Sequence, residues 1–236
     1  LHGAVKSVLG QDQLPTFDIS HAHTVLSFGA DWLGTWGSPA QFGVKYGEFR
    51  SQNDRGYLIH AEPRMSLTAA AADLWLAPKP GTEGDLALGI ASIIINEGLA
   101  TQESISTFNT VLPDGLDGYS VAQVSNRTGI SGDRIEKAAR HFANHTPAVA
   151  FGGGSAGAHT NGSFNLEAIY ALNILVDAID TNGGITPNPK SAIDHLPSSS
   201  AGAPFQSWEA ELAQWRAGNV ETVIIRGTDI VHGMPY

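Results

Sequence analysis

The chain has 236 residues, of which 15% are charged, with a formal net charge of −10 and no cysteine. This length allows one or two domains with a sizeable core, and the low charged fraction indicates surfaces that are covered in a larger chain or an assembly. The lack of cysteine excludes disulfides, cysteine-ligated zinc and iron–sulfur clusters held by this stretch, and the acidic balance argues against a nucleic-acid backbone as the main partner.

Apolar runs alternate with helical patterns along the chain, which predicts an α/β protein with a parallel sheet and flanking helices. The runs that predict strands are residues 18–28, 56–61, 73–78, 148–151 and 220–226. The segments that predict helices are residues 66–72, 83–98, 120–128, 133–145, 164–179 and 209–218. Residues 46–50 are expected on a helix or loop, and residues 100–119 and 182–207 are predicted loops.

The two ends of the chain indicate a piece of a longer protein. No signal peptide is visible after Leu1, and the longest near-apolar run, residues 86–95, is far shorter than the roughly 20 residues of a membrane span. The last predicted strand is followed only by a turn and a few residues, whereas a parallel strand should lead into a crossover helix. We therefore expect a fragment that has no direct membrane span.

Glycine-containing turns follow three predicted strands, at residues 29–31, 152–157 and 227–229. A glycine at the carboxyl end of a strand lets the backbone approach a phosphate, and ligands of open α/β sheets gather at those ends. None of the turns has the full dinucleotide-binding fingerprint, and tight-turn geometry alone also explains each glycine. The pattern of an apolar strand followed by Gly-x-Asp occurs at 26–31 and again at 224–229, as two related nucleotide-binding halves would show.

Acidic residues stand at two further strand ends. Glu62 follows the second strand, where a carboxylate can accept from a ribose hydroxyl, although a surface ion pair with Arg64 explains it equally well. Thr82 can cap the next helix, with Asp85 completing a capping box. A carboxylate at this second junction could also read the edge of a purine.

Two other patterns have a structural and a functional interpretation. His21 and His23 could bind a metal together, but no third ligand has a sensible spacing. Residues 120–145 are similar in pattern to a helix-turn-helix, although the net charge of the chain disfavours DNA binding and favours a packed helical hairpin.

Six stretches in chain order carry a resemblance to a known family. They are SFGADWLGTWGSP, YLIHAEPRMSLTAAAADLWLAPKPGTEGDLALGIA, VAQVSNRTGISGDRIEKAARHF, VAFGGGSAGAHTNG, ALNILVDAID with TNGGI, and VETVIIRGTDIVHGMP. In this order they resemble the molybdopterin oxidoreductases, the group around dimethyl sulfoxide reductase. The resemblance spans nearly the whole chain, and its most specific part is the block from Glu62 to Asp85.

The resemblance implies Rossmann-like domains that bind a molybdenum bis-pterin guanine dinucleotide. It implies a first α/β domain with its helical pair at residues 1–146, and a second, truncated α/β domain at residues 147–236. The positions implied to line one nucleotide pocket are Gly29, Asp31, Glu62, Arg64, Gly81, Thr82 and Glu83. Gly227 and Asp229 would begin a second pocket.

The chain departs from the family at positions that bear on the cofactor. Glu83 stands where the family more often has aspartate, and Asp31 and Asp229 stand where it often has asparagine. Extra negative charge beside a pyrophosphate is unfavourable. No cysteine exists to ligate molybdenum, and no serine can be assigned that role. These departures resemble a branch of the family that has lost the pterin, the molybdopterin-like large iron–sulfur subunits of bacterial alternative complex III.

Membership of that branch implies a non-catalytic scaffold within a quinol:electron-acceptor oxidoreductase, with no catalytic residue, pterin or metal in this stretch. It implies iron–sulfur clusters in an adjoining domain, haem c in cytochrome c partner subunits, and quinol-binding membrane subunits on the periplasmic side. One alternative is a fragment of a true molybdenum catalytic subunit of the polysulfide or thiosulfate reductase type. Another is a stand-alone nucleotide-binding α/β protein.

Overall fold

The computed structural model describes residues 1–10, 13–188, 208–225, 227 and 229. The chain forms two compact units, Leu1–Pro189 and Lys190–Tyr236. The first contains the sheet and the hydrophobic core. In the second, helix α9 (Trp208–Arg216) is described. No helix among the described residues is long and apolar enough to cross a membrane.

A four-stranded parallel sheet forms the centre of the first unit. Its strands are β2 (Thr24–Phe28), β3 (Tyr57–Ala61), β4 (Leu74–Leu76) and β5 (Ala148–Gly152), in the spatial order β4-β3-β2-β5. Every residue of β2 and β5 is buried, as expected for parallel strands with helices on both faces. The predicted α/β fold with a parallel sheet and flanking helices is confirmed.

Eight helices surround this sheet in the described part of the first unit. They are α1 (His2–Leu9), α2 (Pro39–Ser51), α3 (Leu67–Ala70), α4 (Glu83–Asn96), α5 (Gln102–Val111), α6 (Val121–Thr128), α7 (Gly132–Asn144) and α8 (Gly162–Leu175). Helices α4 and α8 are apolar on nearly all sides and pack against each other in the core. Helices α6 and α7 pack on α4 through buried apolar faces, which agrees with a packed helical hairpin.

The start of the first strand of this sheet differs from the prediction. Residues 18–23 are not part of a strand, because Asp18 turns the chain by accepting hydrogen bonds from Ser20, His21 and the backbone of Gly183. A short antiparallel ribbon precedes them, in which β1 (Thr16–Phe17) pairs with β6 (Ile185–Thr186). β6 lies within the predicted loop 182–207, and residues 189–207 of that loop lie outside the described part.

The predicted loop at residues 100–119 is wrong, because it contains helix α5. Its composition is polar and rich in serine and threonine, which have modest helix propensity. The helix forms because Thr101 caps its first turn by accepting from the Ser104 amide at 3.1 Å, and because Phe108 is fully buried. Tertiary packing therefore decides this segment.

The predicted last strand is also not formed in the described residues 220–225. They have no regular secondary structure, and Ile224 is 91% exposed. A strand needs a hydrogen-bonded neighbour, and no neighbouring strand is present among the described residues. Arg226, the last residue of the prediction, lies outside them.

The sheet is continuous across the predicted domain boundary between residues 146 and 147. β5 lies beyond that boundary, yet it pairs with β2 along its whole length, from Thr24 opposite Ala148 to Phe28 opposite Gly152. The strand expected to open a second domain therefore lies in the same unit as the first glycine turn.

A buried asparagine on α8 forms hydrogen bonds with the backbone groups at the outer edge of β5. Asn173 Oδ1 accepts from the Ala150 amide at 2.8 Å, while its Nδ2 donates to the carbonyls of Ala150 at 2.7 Å and Tyr170 at 2.9 Å. The side chain is fully buried. It takes the place of a further strand beside β5, since unpaired buried backbone groups are costly.

Asn173→Ala is expected to lower the free energy of unfolding by about 3 kcal/mol, because it leaves the Ala150 amide and carbonyl without partners. Urea denaturation measures the loss. The matched control is Asn96→Ala on exposed α4 surface, where a single bond to Ser92 is lost at 3.2 Å and the expected cost is below about 1 kcal/mol. Equal losses in the two variants would contradict the role given to Asn173.

A stack of three rings joins the end of α7 to the sheet. The ring centroids of Tyr57 and His141 are 3.9 Å apart, and those of His141 and His145 are 4.0 Å apart. Burial lowers the pKa of His141 to about 4, and the neighbouring His145 and Lys137 lower it as well. The folded protein therefore keeps this imidazole neutral.

Stability is expected to fall as the pH decreases from 6.5, the ordinary histidine pKa, toward about 4. In that interval the unfolded chain binds a proton at His141 that the folded chain does not. His141→Gln removes this titration, so its stability should depend less on pH between those values. Urea denaturation of both proteins across the interval measures the difference in slope, and identical slopes would refute the prediction.

Candidate functional site

The order of the strands creates a crevice at one end of the sheet. The chain moves outward from β2 to β3 and β4, and then returns to place β5 on the other side of β2. In open α/β sheets, ligands bind at the carboxyl ends of the strands where the direction of winding reverses. A cleft of about 570 Å³ lies there. Its lining residues are Gly29, Asp31, Thr35, Trp36, Glu62, Pro63, Arg64, Pro80, Gly154, Ser155 and His159.

Four residues of the predicted pocket, Gly29, Asp31, Glu62 and Arg64, are brought together in this cleft. The other three of the same predicted set, Gly81, Thr82 and Glu83, follow Pro80 at the β4–α4 junction. Whether these positions bind a ligand remains a prediction, but the fold places the loops that carry them side by side.

The glycines of two cleft loops are required by the contact between those loops. Gly29 has a φ of +63°, and a Cβ there would overlap the backbone of Ala156. A Cβ at Gly154, with φ +51°, would overlap the carbonyl oxygen of Gly29. The Ser155 amide donates to that same carbonyl at 3.1 Å. Close packing of the loops is therefore sufficient to explain both glycines.

The carboxylate of Asp31 fastens the loop after β2 to the start of α3. Its Oδ1 accepts from Thr68 Oγ1 at 2.9 Å and from the Thr68 amide at 3.2 Å. Its Oδ2 lies 3.9 Å from a guanidinium nitrogen of Arg64. Asp31 is 7% exposed, so one oxygen is committed inward and the other faces Arg64.

Glu62 is more deeply buried than Asp31, with a side chain that is 4% exposed. Its Oε2 accepts from His60 Nε2 at 3.1 Å, and its Oε1 lies 3.7 Å from Arg64. Burial raises the pKa of Glu62, but hydrogen bonds from His60 and Ser66 and the positive charge of Arg64 outweigh it and leave the pKa below its usual value. Glu62 is thus an ionised carboxylate at the cleft.

A buried chain of polar side chains extends behind Glu62. Trp32 Nε1 donates to Ser27 Oγ at 3.1 Å, and Ser27 Oγ lies 2.7 Å from His60 Nδ1. All of these side chains belong to residues with 0% exposure. The sequence interpretation missed Ser27, Trp32 and His60. The one available signal was the spacing of His60 and Glu62, since residues two apart on a strand lie on the same face.

The β4–α4 junction does not form the predicted capping box. The Thr82 hydroxyl donates back to the Lys79 carbonyl at 2.7 Å and makes no cap to the helix. Asp85 instead pairs with Arg127 at 2.9 Å. The prediction was wrong because the Thr82 hydroxyl is directed back to Lys79 and accepts from no amide of the first turn, while Asp85 is held by Arg127.

Glu83 begins α4 and is fully buried. Its Oε2 lies 3.4 Å from Asn165 Nδ2, whereas its Oε1 is shielded from solvent and has no hydrogen-bond partner within the described part of the chain. Burial raises the pKa of Glu83, although the backbone amides of Glu83 and Gly81 and the charge of His159 oppose the shift. This carboxyl is closed off from the cleft.

The remaining predicted sites are not among the residues that line this cleft. Gly227 and Asp229 belong to the second unit, and the second pocket remains a prediction. His21 Nδ1 lies 2.9 Å from Asp18, and His23 Nδ1 lies 2.9 Å from the Thr146 carbonyl. Among residues 1–10, 13–188 and the described part of the second unit, no group of three or more histidine or acidic side chains could hold a metal.

No family model matches the chain. The molybdopterin-containing subunit of the arsenate respiratory reductase of Chrysiogenes arsenatis is 34% identical over 158 residues, which cover 56% of this chain and 19% of that subunit. The molybdopterin-binding-like subunit of the menaquinone reductase of Nitratidesulfovibrio vulgaris is 27% identical over 178 residues, which cover 73% of this chain and 25% of that subunit. The chain thus spans about a fifth to a quarter of these relatives.

A solved structure shares the fold. Acetylene hydratase from Pelobacter acetylenicus superposes with a TM-score of 0.64 at 24% identity, covering 79% of this chain and 25% of that one. The chain is a molybdopterin-oxidoreductase-like domain. The resemblance to molybdopterin oxidoreductases that the sequence motifs predicted is therefore confirmed for the kind of domain.

The cleft of this molybdopterin-oxidoreductase-like domain fits part of a pterin dinucleotide. Its volume is in the range of small-molecule pockets, and Glu62 offers an ionised acceptor to a sugar hydroxyl. Asp31 and Glu62, however, face a single arginine, which makes an unfavourable setting for a pyrophosphate. Glu83 does not present its carboxyl to the cleft. Glu62 thus offers an acceptor to a nucleoside, and Arg64 is the one arginine or lysine among the described residues that line the cleft.

Stability of the protein relative to a Glu83→Gln variant is expected to fall as the pH rises above 4.5, the ordinary glutamate pKa. The folded state holds the Glu83 proton more tightly than the unfolded chain does, so ionisation favours unfolding. Urea denaturation at acidic and neutral pH measures the change. Glu103→Gln, at an exposed position on α5, serves as the matched control for the substitution itself. The burial assigned to Glu83 would be refuted if both variants behaved alike.

Proposed function

We propose that this chain is part of the large, molybdopterin-like subunit of a membrane-associated quinol:electron-acceptor oxidoreductase of the alternative complex III type. In this proposal the domain is a scaffold that holds no pterin and performs no catalysis itself. The observation that carries the proposal is the electrostatic character of the cleft, where two buried carboxylates face one exposed arginine.

The charges that line the cleft and the burial of Glu83 support a domain without a bound pterin. Arg64 has a side chain that is 71% exposed and lies 3.7 Å or more from both carboxylates, so it neutralises them weakly. A pyrophosphate would bring further negative charge into this setting. The sealed carboxyl of Glu83 could reach a ligand only if the start of α4 were rearranged.

One relative supports the link to quinone chemistry. The Nitratidesulfovibrio vulgaris protein is named a molybdopterin-binding-like subunit, and its enzyme is a menaquinone reductase. Because its similarity extends over 73% of this chain, a scaffold role within a quinol-linked complex is a consistent assignment for the domain described above.

The partners proposed are an iron–sulfur domain, cytochrome c subunits with haem c, and quinol-binding membrane subunits. The complex would lie on the periplasmic side of the bacterial membrane, with this domain peripheral to the bilayer. Exposed apolar side chains support coverage by neighbours, since Val44 and Leu67 are each 66% exposed and Met65 is 60% exposed.

A second candidate is a catalytic subunit that carries a molybdenum bis-pterin guanine dinucleotide. The observation in its favour is the 34% identity to a subunit that is named as containing molybdopterin. In that case Glu62 would hold a sugar hydroxyl of the cofactor, which would supply the redox chemistry. The acidic cleft and the sealed Glu83 disfavour it relative to the scaffold.

Metal and pterin analysis of the full-length protein, purified with its partner subunits, tests the proposal. We expect no stoichiometric molybdenum or tungsten and no extractable pterin, together with iron and haem from the neighbouring parts of the complex. A related molybdenum reductase, purified and assayed in parallel, controls for losses during extraction. Stoichiometric molybdenum with pterin would refute the scaffold proposal and favour the catalytic subunit.

A further inference from the structure

The buried polar chain behind the cleft satisfies all of its hydrogen-bonding groups in one protonation pattern. An ionised carboxylate only accepts, so His60 Nε2 must carry the proton that Glu62 Oε2 receives. His60 Nδ1 is then free to accept from the Ser27 hydroxyl, and Ser27 Oγ accepts in turn from Trp32. With Nε2 donating and Nδ1 accepting, His60 matches each donor of this chain with an acceptor.

These contacts also determine which way Glu62 points. Oε2 is directed inward by His60, while Oε1 is left toward Arg64 and the cleft. The backbone is held as well, because the Glu62 amide donates to the Leu76 carbonyl at 3.0 Å and its carbonyl accepts from Trp75 Nε1 at 2.9 Å. Glu62 is therefore held through its backbone, by His60 and by Ser66, and its open side is the one on which Oε1 lies toward Arg64 and the cleft.

The open side suits a neutral donor. Arg64 lies beyond hydrogen-bond distance of Oε1 at 3.7 Å and is largely exposed, so it can move aside. In doubly wound sheets, an acidic residue at the end of the strand after the first glycine turn accepts from ribose hydroxyls. Glu62 occupies that place, at the end of β3, which follows Gly29 and β2.

We propose that His60 is a positioning residue, which holds Glu62 so that Oε1 accepts hydrogen bonds from the ribose hydroxyls of a nucleoside in the cleft. Ser27 and Trp32 fix the His60 ring from behind. The inference uses the cleft of the proposed function but does not depend on whether pterin is absent.

The test is discrimination between ligands that differ only in their hydroxyls. Calorimetry on the full-length protein compares adenosine and guanosine with their 2′,3′-dideoxy analogues. We expect the dideoxy analogues to bind about tenfold more weakly, because a hydrogen bond to a charged group is lost. Glu62→Gln and His60→Leu should bring the ratio of the affinities for nucleoside and dideoxy analogue close to one. Ser27→Ala should reduce this affinity ratio.

The affinity ratio distinguishes a positioning role of His60 from a purely structural one. A general loss of packing weakens both ligands alike, whereas misplacement of Glu62 affects only the hydroxyl-bearing ligand. His60→Gln, which can still donate to Glu62 and accept from Ser27, should keep part of the ratio. His21→Gln changes a histidine that is 62% exposed and paired with Asp18, and it should leave the ratio unchanged.

Two results would overturn the inference. One is a ratio that persists in His60→Leu while Glu62→Gln abolishes it. The other is a protein free of pterin that binds none of the nucleosides. If the purified protein contains pterin, the proposed function fails instead, and the fraction of pterin retained becomes the readout. His60→Leu should then retain about tenfold less than His60→Gln, and equal retention would again refute positioning by His60.

Discussion

The return of the chain from β4 to the far side of β2 is the constraint on which the rest of the first unit depends. It places β5 in register beside β2, so that Phe28 lies opposite Gly152. The two following loops then leave the sheet at the same end and must pass close to each other. Gly29 and Gly154 make that approach possible, since a Cβ at either position would overlap the opposite loop. The cleft is the space that remains around this contact.

The hydrogen bonds among the polar side chains behind the cleft depend on the same arrangement of strands. Parallel strands covered on both faces leave little water for side chains that point inward. His60 and Ser27 are on neighbouring strands of this dry layer, opposite each other in the β2–β3 register. Their hydrogen bonds, with Trp32 and Glu62 at the two ends, satisfy groups whose burial would otherwise be costly. A buried carboxylate at the mouth of the sheet is stable because of this support.

Similarity to molybdopterin enzymes and the details of the cleft bear on different questions. The relatives and the shared fold identify the kind of domain. The residues bear on what its cleft can accept: Asp31 accepts hydrogen bonds from Thr68, and Glu83 is fully buried at the start of α4.

Local pattern in the sequence determined the α/β class, the positions of β3, β5, α4 and α7, and the strand ends at which Gly29, Asp31, Glu62 and Arg64 stand. These features depend on apolar periodicity and on turn residues, which are readable within a short window. The tertiary structure decided the rest. Helix α5 depends on the burial of Phe108, and the bond between Ser27 and His60 joins residues on different strands. The inward orientation of Glu83 likewise depends on Asn165 from α8. Such contacts between distant segments leave no mark on local periodicity, because each partner is an ordinary residue until the fold brings the other beside it.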